Sequence, residues 1–247
     1  MYVRRDYYCG YFAAKITFDW SRGNSLGEET VFREGFWRSF QLIIGGLILV
    51  AASGCAVGNK HQYADATPEL AIESGHATAV SVQDRRPYVL DGDKDPDFVG
   101  VQRGGFGNPF DVTTASGKPL AADMSEAVVA ALKKKNLTAV AVSVSPDATD
   151  ATIKQIIVSA SAERLLIIKL LEWKSDTYQN TALIYHVELS VMDSEGQLLA
   201  EKAAQGRDDL GGAFIAPAHA KSAVPVAFRR IFEGLLNDPK VRTALQG

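Results

Sequence analysis

Cysteine is scarce in this chain of 247 residues, which holds only Cys9 and Cys55. Two cysteines are too few for a disulfide-rich scaffold, so a domain of this length must be held by its core. Basic charge is not in excess either: 26 Lys and Arg stand against 29 Asp and Glu. Arg85-Arg86, Lys133-Lys134-Lys135 and Arg229-Arg230 are short and scattered. Nucleic-acid binding, which draws on phosphate neutralisation, is therefore disfavoured. The four histidines, His61, His76, His186 and His219, form no H-x-H or H-E-x-x-H spacing, so no metal motif is present. G-x-S-x-G and S-x-x-K are also lacking, and the residues point to no enzyme and no cofactor. Long apolar runs of about 20 residues, as a membrane span requires, are missing. An apolar fraction of 47% with 22% charge is that of an ordinary folded domain.

What is present is the stretch Leu47-Ile48-Leu49-Val50-Ala51-Ala52-Ser53-Gly54-Cys55. Arg33 and Arg38 precede it, Phe40 to Val50 form an apolar core diluted by Gln41, Gly45 and Gly46, and small residues follow. This is the layout of a secretory signal cut between Gly54 and Cys55. With cysteine just after the cut, it resembles the lipobox of bacterial lipoproteins, with Ala52 where leucine is commonest. The resemblance implies that the Cys55 thiol takes a diacylglycerol and that Cys55 is the mature N-terminus. Residues 1–54 are then a signal peptide. Asp19, Glu28, Glu29 and Glu34 suit no signal, so residues 1–30 read as a misassigned start, with the true one near Val31. Six basic and five acidic residues precede Cys55, so their removal shifts the net charge of −3 by one, to −4. No free thiol then remains for a disulfide, a metal or a nucleophile.

Residues 55–74 are small and polar, without a sustained period, and read as a lipidated N-terminus and flexible tether. Residues 75–247 read as one α+β domain. Ala77 to Asp84 alternates as a first strand, and Pro87 to Gly117, dense in Gly, Asp and Pro, as a long loop. Leu120, Met124, Ala127, Val128, Ala131 and Leu132 mark one face of a helix, with three lysines at its negative end and Asn136 as a left-handed cap. Leu137 to Val144 is a second strand, and Asp147 or Thr149 caps a helix over Ile153, Ile156, Ile157 and Ala160. Arg164 to Trp173, Leu183 to Val191 and Gln197 to Ala204 predict a meander, its second turn at Asp193-Ser194-Glu195-Gly196. Gly206 to Pro217 is a second loose region. A helix follows Ser222, with Pro225 in its first turn, and Asp238-Pro239 opens a last short one. The order β-α-β-α-β-β-β-α-α predicts a mixed, mainly antiparallel five-stranded sheet with helices packed on one face.

Asp91, Asp93 and Asp95 open like a calcium loop, but Pro96 and Gln102 stand where its glycine and glutamate belong, so a solvated acidic loop is the reading. Gly104-Gly105-Phe106-Gly107-Asn108-Pro109 lacks phosphate-loop spacing and reads as a turn exposing Phe106. The loops around Phe98, Phe106 and Phe110 are the expected contact surface for a partner.

The lipobox, the strand ending Asp84-Arg85, the helix from Leu120, the meander and the C-terminal helices together resemble the YajG-like family of bacterial outer-membrane lipoproteins. That resemblance implies location and fold, not an activity. Ala56 after the lipidated cysteine, where aspartate would signal inner-membrane retention, implies the periplasmic side of the outer membrane. The expectation is a non-enzymatic, lipid-anchored protein that binds a protein partner in the envelope. Two alternatives stand beside it. One is an auxiliary subunit of a transport system, with an apolar pocket of several hundred Å³ for a lipid or small apolar ligand. The other is an envelope-polymer hydrolase using Asp84 with Asp91 to Asp97.

Overall fold

The computed structural model describes residues 59–246. In chain order its elements are β1 (Lys60–His61), β2 (Thr78–Asp84), α1 (Pro87–Leu90), β3 (Phe98–Arg103), β4 (Pro109–Thr114), α2 (Leu120–Lys134), β5 (Ala139–Ala141), α3 (Asp150–Ser159), β6 (Arg164–Thr177), β7 (Asn180–Asp193), β8 (Leu198–Gly212), α4 (Ala216–Leu236) and α5 (Pro239–Gln246). The class is α+β, as expected, but the eight strands form one curled mixed sheet rather than five, and four of its seven pairings are parallel.

The sheet is built on β6. One edge of this strand pairs with β7 along its whole length, and β7 pairs in turn with β8. The other edge is shared: β2 runs parallel to its first half, from Arg164 to Leu170, and β3 runs parallel to its second half, from Ser175 to Thr177. Arg164 to Leu170 is apolar on both faces because both faces are covered. Leu166 and Ile168 join Val80 in a large core under α2, α4 and α5, whereas Leu165 and Ile167 join Ala79, Ile153 and Ile157 in a smaller core under α3. Successive residues of a strand point to opposite faces, so α3 lies across the sheet from the other long helices. The expectation of helices on one face is thereby corrected.

Three other expectations change. The tether read over residues 55–74 is packed from Asn59 onward: Lys60–His61 pairs with β4, and Tyr63, Leu70 and Ile72 are buried. Its polar residues hid single large apolar ones spaced too irregularly to show a period. The loop read from Pro87 to Gly117 is instead a turn of helix and the hairpin β3–β4, whose strands are only six residues each. The loose region after Gly206 is the second half of β8, and α4 begins at Ala216, which puts Pro225 inside that helix rather than in its first turn.

Several local signals hold. Asn136 follows α2 with φ 61°, Gly196 takes φ 76° in the β7–β8 turn, and the Thr149 side chain accepts the Thr152 amide at the start of α3. Asp238 caps α5, its carboxylate accepting from the Lys240 amide. Leu137 to Val144 contributes only the three-residue β5. No helix among the described residues is long and apolar enough to cross a membrane.

Candidate functional site

β2 stops pairing with β6 at Leu170 and β3 starts at Ser175, which leaves a gap in the ladder at the middle of β6. Arg86, just past the end of β2, fills it. Its guanidinium lies wholly out of solvent, donating from Nε and Nη2 to both oxygens of Asp84, at 2.8 and 2.6 Å. It also donates to the carbonyls of Phe98 (2.6 Å), Trp173 (3.3 Å) and Pro96 (3.3 Å). Burial pulls this group down, and its bonds and charge pairing with Asp84 more than offset that, holding it above its ordinary value. The Arg86 node joins the two strand ends that share β6. Every polar atom of its fork is used, so its role is architectural.

Beneath it lies an aromatic cluster. Trp173 donates its indole N–H to the Tyr63 hydroxyl at 3.0 Å and meets Phe228 and Phe232 edge-on, with ring centroids 6.0 and 6.3 Å away. These rings fill the space between the sheet and α4, where the transport alternative expected an apolar pocket. The depressions on the described residues are open ones at the surface, among them one of about 420 Å³ lined by Lys169, Glu188 and Glu201 on the bare face of β6, β7 and β8.

The residues singled out from sequence are not gathered together. Phe98 is buried, packed edge-on against Tyr88 and covered by Lys94, so it is a core residue and no contact for a partner. Phe110 is half-buried, its ring close over Gly104. Phe106 alone stands free, fully exposed at the tip of the β3–β4 hairpin, where Gly107 takes φ 80°. Gly54 and Cys55 lie outside the described residues. Asp84 is committed to Arg86, while Asp91, Asp93 and Asp95 face solvent. Among the described residues no group of three or more His, Cys, Asp or Glu side chains is placed to hold a metal ion. His76 pairs with Glu163, His186 lies 3.8 Å from Glu188, and His219 bonds the Leu210 carbonyl at 2.9 Å. His61 is fully buried with both ring nitrogens unpartnered, and burial lowers its pKa to about 4.

The surface feature that the sequence reading missed is at one end of the sheet. β3, β6 and β8 are mutually parallel in direction, so their C-terminal ends coincide with the β6–β7 turn. That end carries Phe106, Tyr178, Phe214 and Ile215, exposed by 101%, 48%, 106% and 62%. Phe214 and Ile215 sit between the glycines closing β8 and the start of α4. An apolar pair in a glycine-bounded connection, with no period on either side, was the available signal.

No protein-family model matches the chain, and no curated protein matches it. Solved structures of similar outline include protein XCC0632 of Xanthomonas campestris, described under the family model DUF330. It is 15% identical, over 76% of this chain and 94% of that one, at a TM-score of 0.44. The PelC dodecamer of Paraburkholderia phytofirmans matches at 13% identity, over 73% and 95%, with a TM-score of 0.40. Lipoprotein GNA1162 of Neisseria meningitidis matches at 15% identity, over 66% and 99%, with a TM-score of 0.25. At such scores the likeness is one of general outline, and it does not single out the YajG-like family.

Proposed function

We propose that the chain is a lipid-anchored protein of the bacterial cell envelope, held through Cys55 at the periplasmic side of the outer membrane, and that it works by binding a protein partner. The observation that carries this reading is the juxtaposition of the Leu47–Cys55 stretch with a fold whose first strand starts at Lys60. A cut before Cys55 removes no residue of either described core. The likeness in element order to the YajG-like lipoproteins belongs to the same reading.

A binding role is supported by β8. This fifteen-residue strand pairs with β7 alone among the described strands, leaving a free edge and, beside it, the charged depression lined by Lys169, Glu188 and Glu201. An edge of that length is a template for strand addition, and its charges select the partner and discourage indiscriminate pairing. A role without catalysis is supported by the dispersal of the carboxylates and histidines described above.

The test is a mass spectrum of the N-terminal peptide of the protein purified from bacterial membranes. A peptide that begins at Cys55 and carries acyl chains is expected, as is release of a Cys55→Ser variant into the soluble fraction. A chain still holding residues 1–54 would overturn the reading, and fractionation with the inner membrane would overturn the location.

A further inference from the structure

The direction of β1 and the few residues between Asn59 and Cys55 limit how far an anchor at Cys55 can lie from the domain. β1 runs parallel to β4, with Lys60 beside Thr113 and His61 beside Thr114, and β4 runs away from the hairpin tip that carries Phe106. Extended backward, the line of β1 leads to the side of that tip. Asn59 is held in place, its carbonyl accepting from the Thr113 amide and its side-chain amide donating to the Pro217 carbonyl. Pro217 lies two residues after Ile215. Asn59 thus joins the β4 side of the sheet to the segment that carries Phe214 and Ile215.

Four peptide units separate Cys55 from Asn59, and a fully extended chain gains at most about 3.6 Å per residue, or about 14 Å in all. Asn59 is itself level with Val112, three residues short of the strand end at Pro109, a distance of about 10 Å at the usual strand rise. An acylated Cys55 can reach the level of that strand end and little beyond it. So short a reach holds the domain against the bilayer, and the end toward which β1 points back is the one bearing Phe106, Tyr178, Phe214 and Ile215.

We propose that this end of the sheet is a membrane-contact surface, with Phe214, Ile215 and Phe106 seated in the lipid headgroup and upper acyl region beside the Cys55 anchor. The inference rests on the lipoprotein reading and adds an orientation to it. Two fully exposed phenylalanines are costly in water and favourable at a lipid interface. With this end down, the contact at Phe106 is with lipid. The β8 edge, which runs away from the membrane, is left open to the periplasmic partner.

The test uses the mature protein from bacterial membranes, reconstituted into vesicles of phosphatidylethanolamine and phosphatidylglycerol. An environment-sensitive fluorophore is attached at Phe214→Cys, Phe106→Cys or, as a control, Val158→Cys. Val158 is exposed on α3, next to the segment that leads into the start of β6, the opposite end of the strand. A blue shift and shielding from aqueous iodide at positions 214 and 106, with neither at 158, is the expected result. Water-like emission at all three positions on a protein whose Cys55 is acylated would overturn the orientation and leave the lipoprotein reading standing. A shift at 214 that vanishes on diluting the protein at constant lipid would assign the surface to a second copy and overturn the proposal. Labelling of the parent protein, which needs a free thiol at Cys55 or an uncleaved chain that retains Cys9, would overturn the anchor and the orientation with it.

Discussion

Arg86 and His61 are both completely withdrawn from solvent, yet the fold treats them in opposite ways. Arg86 keeps its charge because five acceptors surround it: the two oxygens of Asp84 and the carbonyls of Phe98, Trp173 and Pro96. Phe98 and Trp173 lie where the ladder is interrupted between β2 and β3 on β6, so at those two carbonyls the guanidinium supplies a donor beside the gap. His61 has no such surroundings. Neither ring nitrogen finds a partner, and the imidazole stays neutral, with its pKa drawn down to about 4. A buried charge persists where the backbone offers acceptors in number, and an ionisable ring is discharged where it does not.

Breaking the partnered member is expected to have the largest effect. Arg86→Ala leaves Asp84 without its cation and strips the guanidinium bonds from the Phe98, Trp173 and Pro96 carbonyls, of which Trp173 keeps the Tyr88 hydroxyl and Pro96 the Leu120 amide, at a cost of about 3–5 kcal/mol. Urea unfolding should show it as a lower midpoint at unchanged slope. Replacing both members with apolar residues of similar size, as in Arg86→Met with Asp84→Leu, should recover part of the loss. A loss below about 1 kcal/mol for the single variant would show that the gap in the ladder closes without the guanidinium.

The unpartnered member predicts a pH dependence instead. The folded His61 pKa of about 4 lies below the ordinary 6.5, so the unfolded chain binds the proton first as pH falls. Stability is complete above pH 6.5 and is lost progressively between 6.5 and about 4, by about 3 kcal/mol if His61 acts alone. His61→Leu, which removes a group with no hydrogen bond to lose, should flatten that slope without lowering stability at pH 7.5. A slope that survives the substitution would assign the acid sensitivity to other groups.

Strand packing beside the Arg86 node is tested by Gly100→Ala. A Cβ on Gly100 would lie 2.4 Å from the Ser175 carbonyl oxygen and 2.8 Å from its nitrogen, both backbone atoms that cannot turn aside. The expected cost is about 2–3 kcal/mol, as for overpacking in a rigid site. An unaltered urea midpoint would mean that β3 is free to move off β6.

These contrasts follow the line between what the sequence shows and what it conceals. The helices, the caps and the β6–β7–β8 meander are local features, written in periods and in single residues such as Asn136, Thr149 and Gly196. The hairpin β3–β4 was concealed because Gly, Asp and Pro crowd its flanks and each strand is too short for alternation to register. Packing of residues 59–74 was concealed because Tyr63, Leu70 and Ile72 are held by distant partners, Trp173 and Phe228 among them, rather than by their neighbours in sequence. Phe106 was legible from its glycines. Phe98 was misread, because nothing in its own stretch reveals that Tyr88 and Lys94 close over it. Phe214 and Ile215 acquire meaning only when the strand directions bring them beside Phe106 and the start of the chain.

The smallest effects belong to sites where neither burial nor partner number is at stake. Asn136, at φ 61°, takes a backbone conformation that costs a Cβ-bearing residue about 1–2 kcal/mol, with asparagine among the tolerant ones and glycine free of the cost. Asn136→Ala should therefore lower stability by about 1 kcal/mol, and Asn136→Gly should not. If the two variants lose stability equally, it is the amide side chain that matters at this cap. If only alanine loses it, the left-handed turn itself is what ends α2 and sends the chain back toward β5.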